Sequence, residues 1–244
     1  MVAIKTIDLT KDFGDVVAVN GVNLEVYEGE IFALLGINGA GKTTLIKMLS
    51  TILEPSSGDG IIYGKSITKE IDEIKEIIDI SMQETAIAKN LTVQENIEFY
   101  AKLNGQSREE VEQTVKYLYS IFQLDKFAKK QAKKLSGGWQ RKLSIALALA
   151  KKPKVLFLDE PTLGLDVIAR RELWKTILEL KNKTTILLTT HYMEEAEALS
   201  DRIGVMKDGK LLFVGTKDCL FSRFGTKNVE DSFIKIIEME DNRE

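Results

Sequence analysis

The run Gly36-Ile37-Asn38-Gly39-Ala40-Gly41-Lys42-Thr43 constrains this chain more than any other stretch of it. It follows an apolar, strand-like segment ending at Leu35 and leads into a helical run, TTLIKMLSTIL, beginning at Thr43. Glycine, four residues, then Gly-Lys-Thr between a strand and a helix is the P-loop pattern. Its physics is local. Glycines let successive backbone N–H groups wrap a phosphate, and the helix N-terminus adds positive potential. Lys42 is expected at the β- and γ-phosphates of a nucleotide and the Thr43 hydroxyl at Mg²⁺. Gly36, Asn38, Gly39, Ala40, Gly41 and Thr44 complete the cradle. An ordinary glycine turn has neither the full pattern nor this setting.

Around that run the hydrophobic pattern predicts an α/β fold. Residues 2–35 read as strands, with Gly21 and Gly29 as punctuation. IIYGKSI follows the turn signal SSGDG at 56–60. From about Glu84 to Lys152 the character turns helical; Ser107 and Glu110 form a capping box ahead of Val111, Val115, Leu118 and Phe122. Beyond Pro153 come two buried-type strands, VLFLD (155–159) and TTILLTT (184–190), then a hairpin turning at Asp208-Gly209. Strands alternating with helices imply a largely parallel sheet. The expected fold is a P-loop NTPase core with an N-terminal antiparallel β region and an inserted α-helical subdomain. Residues 1–84 and 153–225 make the core, 85–152 the insert and 226–244 a helical tail, all in one domain.

Composition narrows the function classes. A net charge of −3 over 244 residues gives no global pull toward nucleic acid, so no nucleic-acid partner is expected. The basic run KFAKKQAKK (126–134) has no aromatic beyond Phe127 and reads as a solvated helix face. The lone cysteine, Cys219, suits a reducing compartment. No signal peptide is visible, and apolar runs such as IALALA (145–150) fall short of the roughly 20 residues that span a bilayer. A cytoplasmic protein is expected.

A second set of residues gathers at strand ends. LFLDEP (156–161) places Asp159 and Glu160 at the carboxyl end of an apolar strand, the edge where open parallel sheets bind ligands. Asp159 suits the Mg²⁺ shell, and Glu160 suits polarisation of a water attacking the γ-phosphate. His191, the one histidine, directly follows TTILLTT and suits a γ-phosphate contact, although isolated histidines are often structural. Gln83, after IDISM, stands where a side chain senses Mg²⁺ or water. Phe13 is open to two readings, core packing or stacking on an adenine ring.

LSGGWQRK (135–142) is harder to explain. Ser136 is a good helix N-cap residue, yet Gly137 and Gly138 are poor helix formers and serve best where an anion approaches the backbone. One phosphate cradle already exists a long way upstream.

With these residues in order, the chain resembles the ATP-binding cassette proteins, specifically the ATPase subunits of ABC transporters. Phe13 matches the aromatic A-loop, GINGAGKTT the P-loop, Gln83 the Q-loop and LSGGW the signature. VLFLDE matches the acidic strand, LGLD with Asp166 the D-loop, and His191 the switch histidine. The resemblance implies ATP and Mg²⁺ as cofactors. It also implies a head-to-tail pair in which the signature residues Ser136, Gly137 and Gly138 cap the nucleotide of a second copy or a paralogous subunit. It further implies a transmembrane permease on a separate chain, reached from the inner face of the cell membrane. The tail DSFIKIIEME (231–240) resembles that of drug- and antibiotic-resistance exporters, which points to export. One residue departs from the pattern: Trp139 stands where the family carries glutamine. Two rival readings remain, a soluble ABC ATPase without a transport role and a P-loop GTPase. The GTPase reading lacks its guanine motif, since Asn182-Lys183-Thr184-Thr185 has no aspartate.

Overall fold

The computed structural model describes residues 1–242. It opens with strands β1 (Val2–Asp12), β2 (Val17–Val22), β3 (Glu25–Tyr27) and β4 (Ile31–Leu35), followed by helix α1 (Lys42–Leu49). Strands β5 (Ser57–Ile62) and β6 (Lys65–Ser66), helix α2 (Ile71–Lys75) and strand β7 (Ile78–Ser81) come next. Helices α3 (Val93–Leu103), α4 (Arg108–Phe122) and α5 (Gly137–Leu149) then intervene before strand β8 (Val155–Asp159). Helix α6 (Val167–Leu178), strand β9 (Thr185–Thr190) and helix α7 (Met193–Leu199) lead to the β10 (Arg202–Lys207) and β11 (Lys210–Thr216) hairpin. Helices α8 (Lys217–Phe224) and α9 (Val229–Asp241) end the described chain.

Two sheets result. β1 pairs antiparallel with β2, β3 and β5, and β6 adds to β5. The second sheet runs β11-β10-β4-β9-β8-β7, parallel throughout except for the β10–β11 hairpin. β4, β8 and β9 are buried along their whole length, as expected for parallel strands covered on both faces. Their alternation divides the core in two. Ile31, Ala33, Leu35, Leu156 and Leu158 face the helical side, whereas Phe32, Leu34, Val155 and Phe157 face α1 and the first sheet.

The insert packs α3, α4 and α5 against one another and lays α5 on β7 and β8. Ser107 and Glu110 make the capping box reciprocally, and Thr92 and Glu95 make a second one at α3. One expectation fails here. The basic stretch 126–134 is no helix but two 3-10 turns, Asp125–Phe127 and Ala132–Lys134. The cause is backbone pairing with the entry to α3: the Val93 N–H donates to Lys130 O at 3.0 Å and the Ala132 N–H to Leu91 O at 2.9 Å. Amides so engaged are lost to a helix. Among the described residues no helix is long and apolar enough to cross a membrane.

Candidate active site

Strand register decides where the chemistry gathers. Leu35 is level with Thr190, Thr189 with Asp159, and Leu158 with Ser81. The carboxyl ends of β4, β9, β8 and β7 therefore share one edge. The segments that leave them carry the P-loop, His191, the Asp159-Glu160 pair and Gln83. Such an edge is where open α/β sheets bind ligands.

The P-loop turns tightly enough that only glycine fits at its critical points. Gly41 has φ +99°, and a Cβ there would sit 2.1 Å from Ala18 O. Gly41 is also the N-cap of α1 and offers no side-chain cap to its first-turn amides, and residues 41–44 line the cavity. That cavity holds about 420 Å³. Its walls are residues 38–44 with Ala18, Gln83, Glu160, Leu163 and His191. Gly36 lies beneath it, packed so closely that a Cβ would meet Met206 O at 2.4 Å.

Lys42 is nearly buried, with 6% of its surface exposed. Its Nζ donates to Gly36 O at 2.8 Å and Ile37 O at 3.1 Å and stands 3.4 Å from Glu160 Oε1. The Thr43 hydroxyl lies 3.0 and 3.1 Å from the two Asp159 carboxylate oxygens. Thr189, which no sequence motif marks, donates its hydroxyl to Asp159 Oδ1 at 2.6 Å and accepts the Glu160 N–H at 3.0 Å. Glu160 is 7% exposed and sits in the left-handed region at φ +47°. For a residue other than glycine this conformation costs on the order of 1–3 kcal/mol and collects at functional sites. His191 Nδ1 is 2.8 Å from Glu160 Oε2, and an ionised carboxylate only accepts, so Nδ1 carries the proton.

The donors suit Mg²⁺. A threonine hydroxyl and a carboxylate meet at Thr43 and Asp159, and Gln83, whose amide also carries a hard oxygen, lines the adjoining hollow of about 560 Å³ with them. No group of three or more His, Cys, Asp or Glu forms a metal cage among the described residues. Mg²⁺ characteristically completes its shell with nucleotide phosphates and water rather than protein alone.

The remaining expected residues lie elsewhere. Phe13, at the β1–β2 turn, is 56% exposed, so it is not core; Lys11 Nζ lies 5.3 Å from its ring centre. Asp166 accepts the Ile168 and Ala169 N–H groups at 3.0 and 2.9 Å, capping α6 outside the cavity wall. Ser136 occupies the N-cap position of α5, but its hydroxyl caps no amide of that helix. Ser136 and Gly137 are exposed, Gly138 is half-buried, and none of them lines the cavity. Trp139 folds back into the insert. Its ring meets Phe127 edge-on at 4.7 Å, with Lys126 and Lys142 Nζ each 4.3 Å from its centre.

Two further buried charged residues at the site went unmarked by the sequence motifs. Burial draws the Arg141 guanidinium down to about 10, opposed by the carboxylates of Asp159, Glu195 and Glu160. It donates to backbone carbonyls on both sides of the site. Burial likewise pushes the Glu195 carboxyl up; Trp174 Nε1 donates to its Oε1 at 3.0 Å, and the Thr190 and Thr162 hydroxyls lie alongside. Neither residue sits in a short motif that spells out its long-range partners.

A P-loop, an acidic strand end and a histidine on one parallel-sheet edge, with a helical insert opening on Ser-Gly-Gly, define an ATP-binding cassette ATPase. The chain belongs to the ABC transporter family, whose family model matches residues 19–163. It is 43% identical over 86% of its length to the Homo sapiens phospholipid-transporting ATPase ABCA3 and 41% identical over 85% to ABC transporter A family member 5 of Arabidopsis thaliana. It spans 12% and 22% of those two proteins. Among solved structures it matches an ATP-binding subunit of an ABC transporter with a TM-score of 0.85 at 27% identity, covering 97% of this chain and 100% of that one. The cbiO1 protein of Clostridium perfringens, part of the cbiONQ transporter complex, matches at 0.83 and 30% identity, with 91% of each chain covered. A dimeric ATP-binding cassette, MJ0796, bound to ADP and Pi, matches at 0.78 and 26% identity, covering 87% of this chain and 98% of that one.

Proposed function

We propose that the chain drives an ABC exporter, hydrolysing ATP as one half of a head-to-tail pair docked on a separate membrane permease at the inner face of the cell membrane. One observation carries the pairing. The cavity collects residues 38–44, Gln83, Glu160 and His191, while none of Ser136, Gly137 and Gly138 at the head of α5 lines it and nothing lies within 4 Å of where a Gly137 Cβ would be. A phosphate-shaped turn that serves no local phosphate is explained by a neighbour's nucleotide. The neighbour is a second copy or a paralogous subunit.

The residues take these roles. The amides of 39–44 and Lys42 hold the phosphates, and Phe13 stacks on the adenine. Thr43, Asp159 and Gln83 hold Mg²⁺, which neutralises phosphate charge when bound. Glu160 accepts the proton of the attacking water, and His191 holds the carboxylate toward the γ-phosphate. Asp166 fixes the start of α6 beside the partner's nucleotide. The export direction is supported by the resemblance of the 231–240 tail, and the relatives named as phospholipid-transporting ATPases favour a lipid cargo.

Mixing two inactive variants tests the pairing. Lys42→Ala lacks a working P-loop, and Ser136→Glu sets a carboxylate against an incoming γ-phosphate. Each alone is expected to be inactive. Their mixture forms one site from two intact halves and regains ATPase activity, and wild-type specific activity rises with protein concentration. Full specific activity from a protein that sediments as a monomer with ATP bound would overturn the pairing.

A further inference from the structure

The stretch 126–134 holds five lysines, Lys126, Lys129, Lys130, Lys133 and Lys134, in a chain whose net charge is −3. All five are exposed, and none lines the nucleotide cavity of its own chain. Among the described residues none of them forms an ion pair with a carboxylate. Glu172, whose field Lys126 shares, is already paired with Lys142 at 2.9 Å. The contacts these side chains do make are with neutral groups. Lys133 Nζ donates to Asn90 Oδ1 at 3.0 Å, and Lys126 and Lys130 lie over the Phe127 ring.

The folded chain sets this cluster beside the signature turn. Lys133 and Lys134 run directly into Leu135 and Ser136, and Lys126 Nζ stands 4.3 Å from the ring centre of Trp139, the residue after Gly138. The backbone beneath the lysines is pinned. Besides the pairs with 91–93, the Gln94 N–H donates to Ala128 O at 3.1 Å and the Lys133 N–H to Lys89 O at 3.0 Å. Like charges held together without counter-ions raise the local potential, and an incoming anion relieves it. The rings beside the cluster make poor stacking platforms for a nucleic-acid base. Phe127 and Trp139 are half-buried, meet each other edge-on and carry lysines over their faces.

We propose that the lysines of 126–134 are a steering surface for a second copy of this chain whose nucleotide edge is already loaded. This deepens the head-to-tail reading and rests on it. Charge complementarity selects the occupant. By itself the nucleotide edge is close to balanced, with Lys42 and Lys47 standing among Glu84, Asp159 and Glu160. A nucleotide triphosphate stays anionic with Mg²⁺ bound and tips that edge negative. The lysines next to Ser136 then draw a loaded edge toward the turn, which speeds encounter more than it tightens the finished pair. A loaded neighbour is captured faster than an unloaded one. An approach of insert to insert sets lysines against lysines and is disfavoured, so the same patch selects the head-to-tail orientation.

The test reads association rates rather than activity. Glu160→Gln, expected to hold ATP without hydrolysing it, serves as the background, and pairing of the full chain at saturating Mg-ATP is followed by stopped-flow light scattering. The association rate constant is expected to fall about tenfold between about 0.05 and 0.3 M salt, as screening removes the attraction. Lys129, Lys130 and Lys134 make no side-chain hydrogen bond, so changing all three to Gln spares the fold. In this triple variant association slows by about tenfold at low salt and converges on the background rate at high salt, while dissociation on dilution stays within about twofold. A background that pairs at a rate indifferent to salt would overturn the steering and leave the pairing standing, with no variant lysine needed. So would a triple variant that associates as fast as its background, including one whose only loss is binding to phosphatidylserine vesicles, which would assign the patch to an anionic membrane. A chain that forms no pair with ATP overturns both readings, and the complementation of Lys42→Ala by Ser136→Glu reports that failure separately.

Discussion

Glu160 is held between two groups from different strands: its Oε2 lies 2.8 Å from His191 Nδ1 and its Oε1 lies 3.4 Å from Lys42 Nζ. One carboxylate thus spans the P-loop and the end of β9. On the proposed function this carboxylate is the group that takes the proton of the attacking water, and it sits on a left-handed backbone. Glu160→Gln keeps the shape and removes the charge. Phosphate release is expected to fall by on the order of 10²–10⁴-fold, while ATP still binds. A wild-type rate would assign the base to another residue.

Phe13→Ala is expected to leave the melting temperature unchanged, because the ring is exposed rather than packed. Calorimetric titration should show ATP binding weakened by about 1–3 kcal/mol, the scale of base–aromatic stacking. An unchanged affinity would leave the exposed ring without a nucleotide role.

The signature glycines make opposite predictions. A Cβ at Gly138 would lie 3.0 Å from Ala169 Cβ, whereas one at Gly137 meets nothing within 4 Å. Gly138→Ala is therefore expected to lower the melting temperature by crowding α6. Gly137→Ala should leave stability unchanged or raise it by up to about 1 kcal/mol through helix propensity, yet depress ATPase activity. Full activity in a well-folded Gly137→Ala would show that nothing approaches the turn at that position.

Asp79 on β7 provides a pH test. Burial pushes its carboxyl up to about 6, while the Ile80 N–H and Lys151 pull the other way; Tyr100 faces it from α3. The folded state therefore holds this proton more tightly than the unfolded chain. Stability from this group is present at low pH and is lost as pH rises toward and through about 6. Asp79→Asn keeps the acceptor for the Ile80 N–H and removes the ionisation. Thermal melts should show the variant gaining on wild type at neutral pH, by about 2–4 °C for each kcal/mol recovered, and not gaining well below pH 6. A pH-independent difference would mean that Asp79 does not ionise there.

The parts of this protein written in single short runs are legible in the amino-acid sequence by itself. The 36–43 run, Asp159-Glu160 and Ser136-Gly138 each contain their own chemistry, since a phosphate cradle or a strand-end acid depends on neighbours only a few residues away. The strand-helix alternation is legible for the same reason. The tertiary structure decides what depends on residues far apart in the chain. Strand order and register bring Thr189 onto Asp159 and His191 onto Glu160. Backbone pairing with 91–93 keeps the lysine-rich 126–134 stretch from forming a helix, and Phe127 with flanking lysines turns Trp139 inward. Phe13 in sequence reads more readily as core than as a ligand contact, and only its exposure in the folded chain removes the core reading. Arg141 is the extreme case: its acceptors are main-chain carbonyls, which every residue type carries, so only the folded chain specifies which ones it meets.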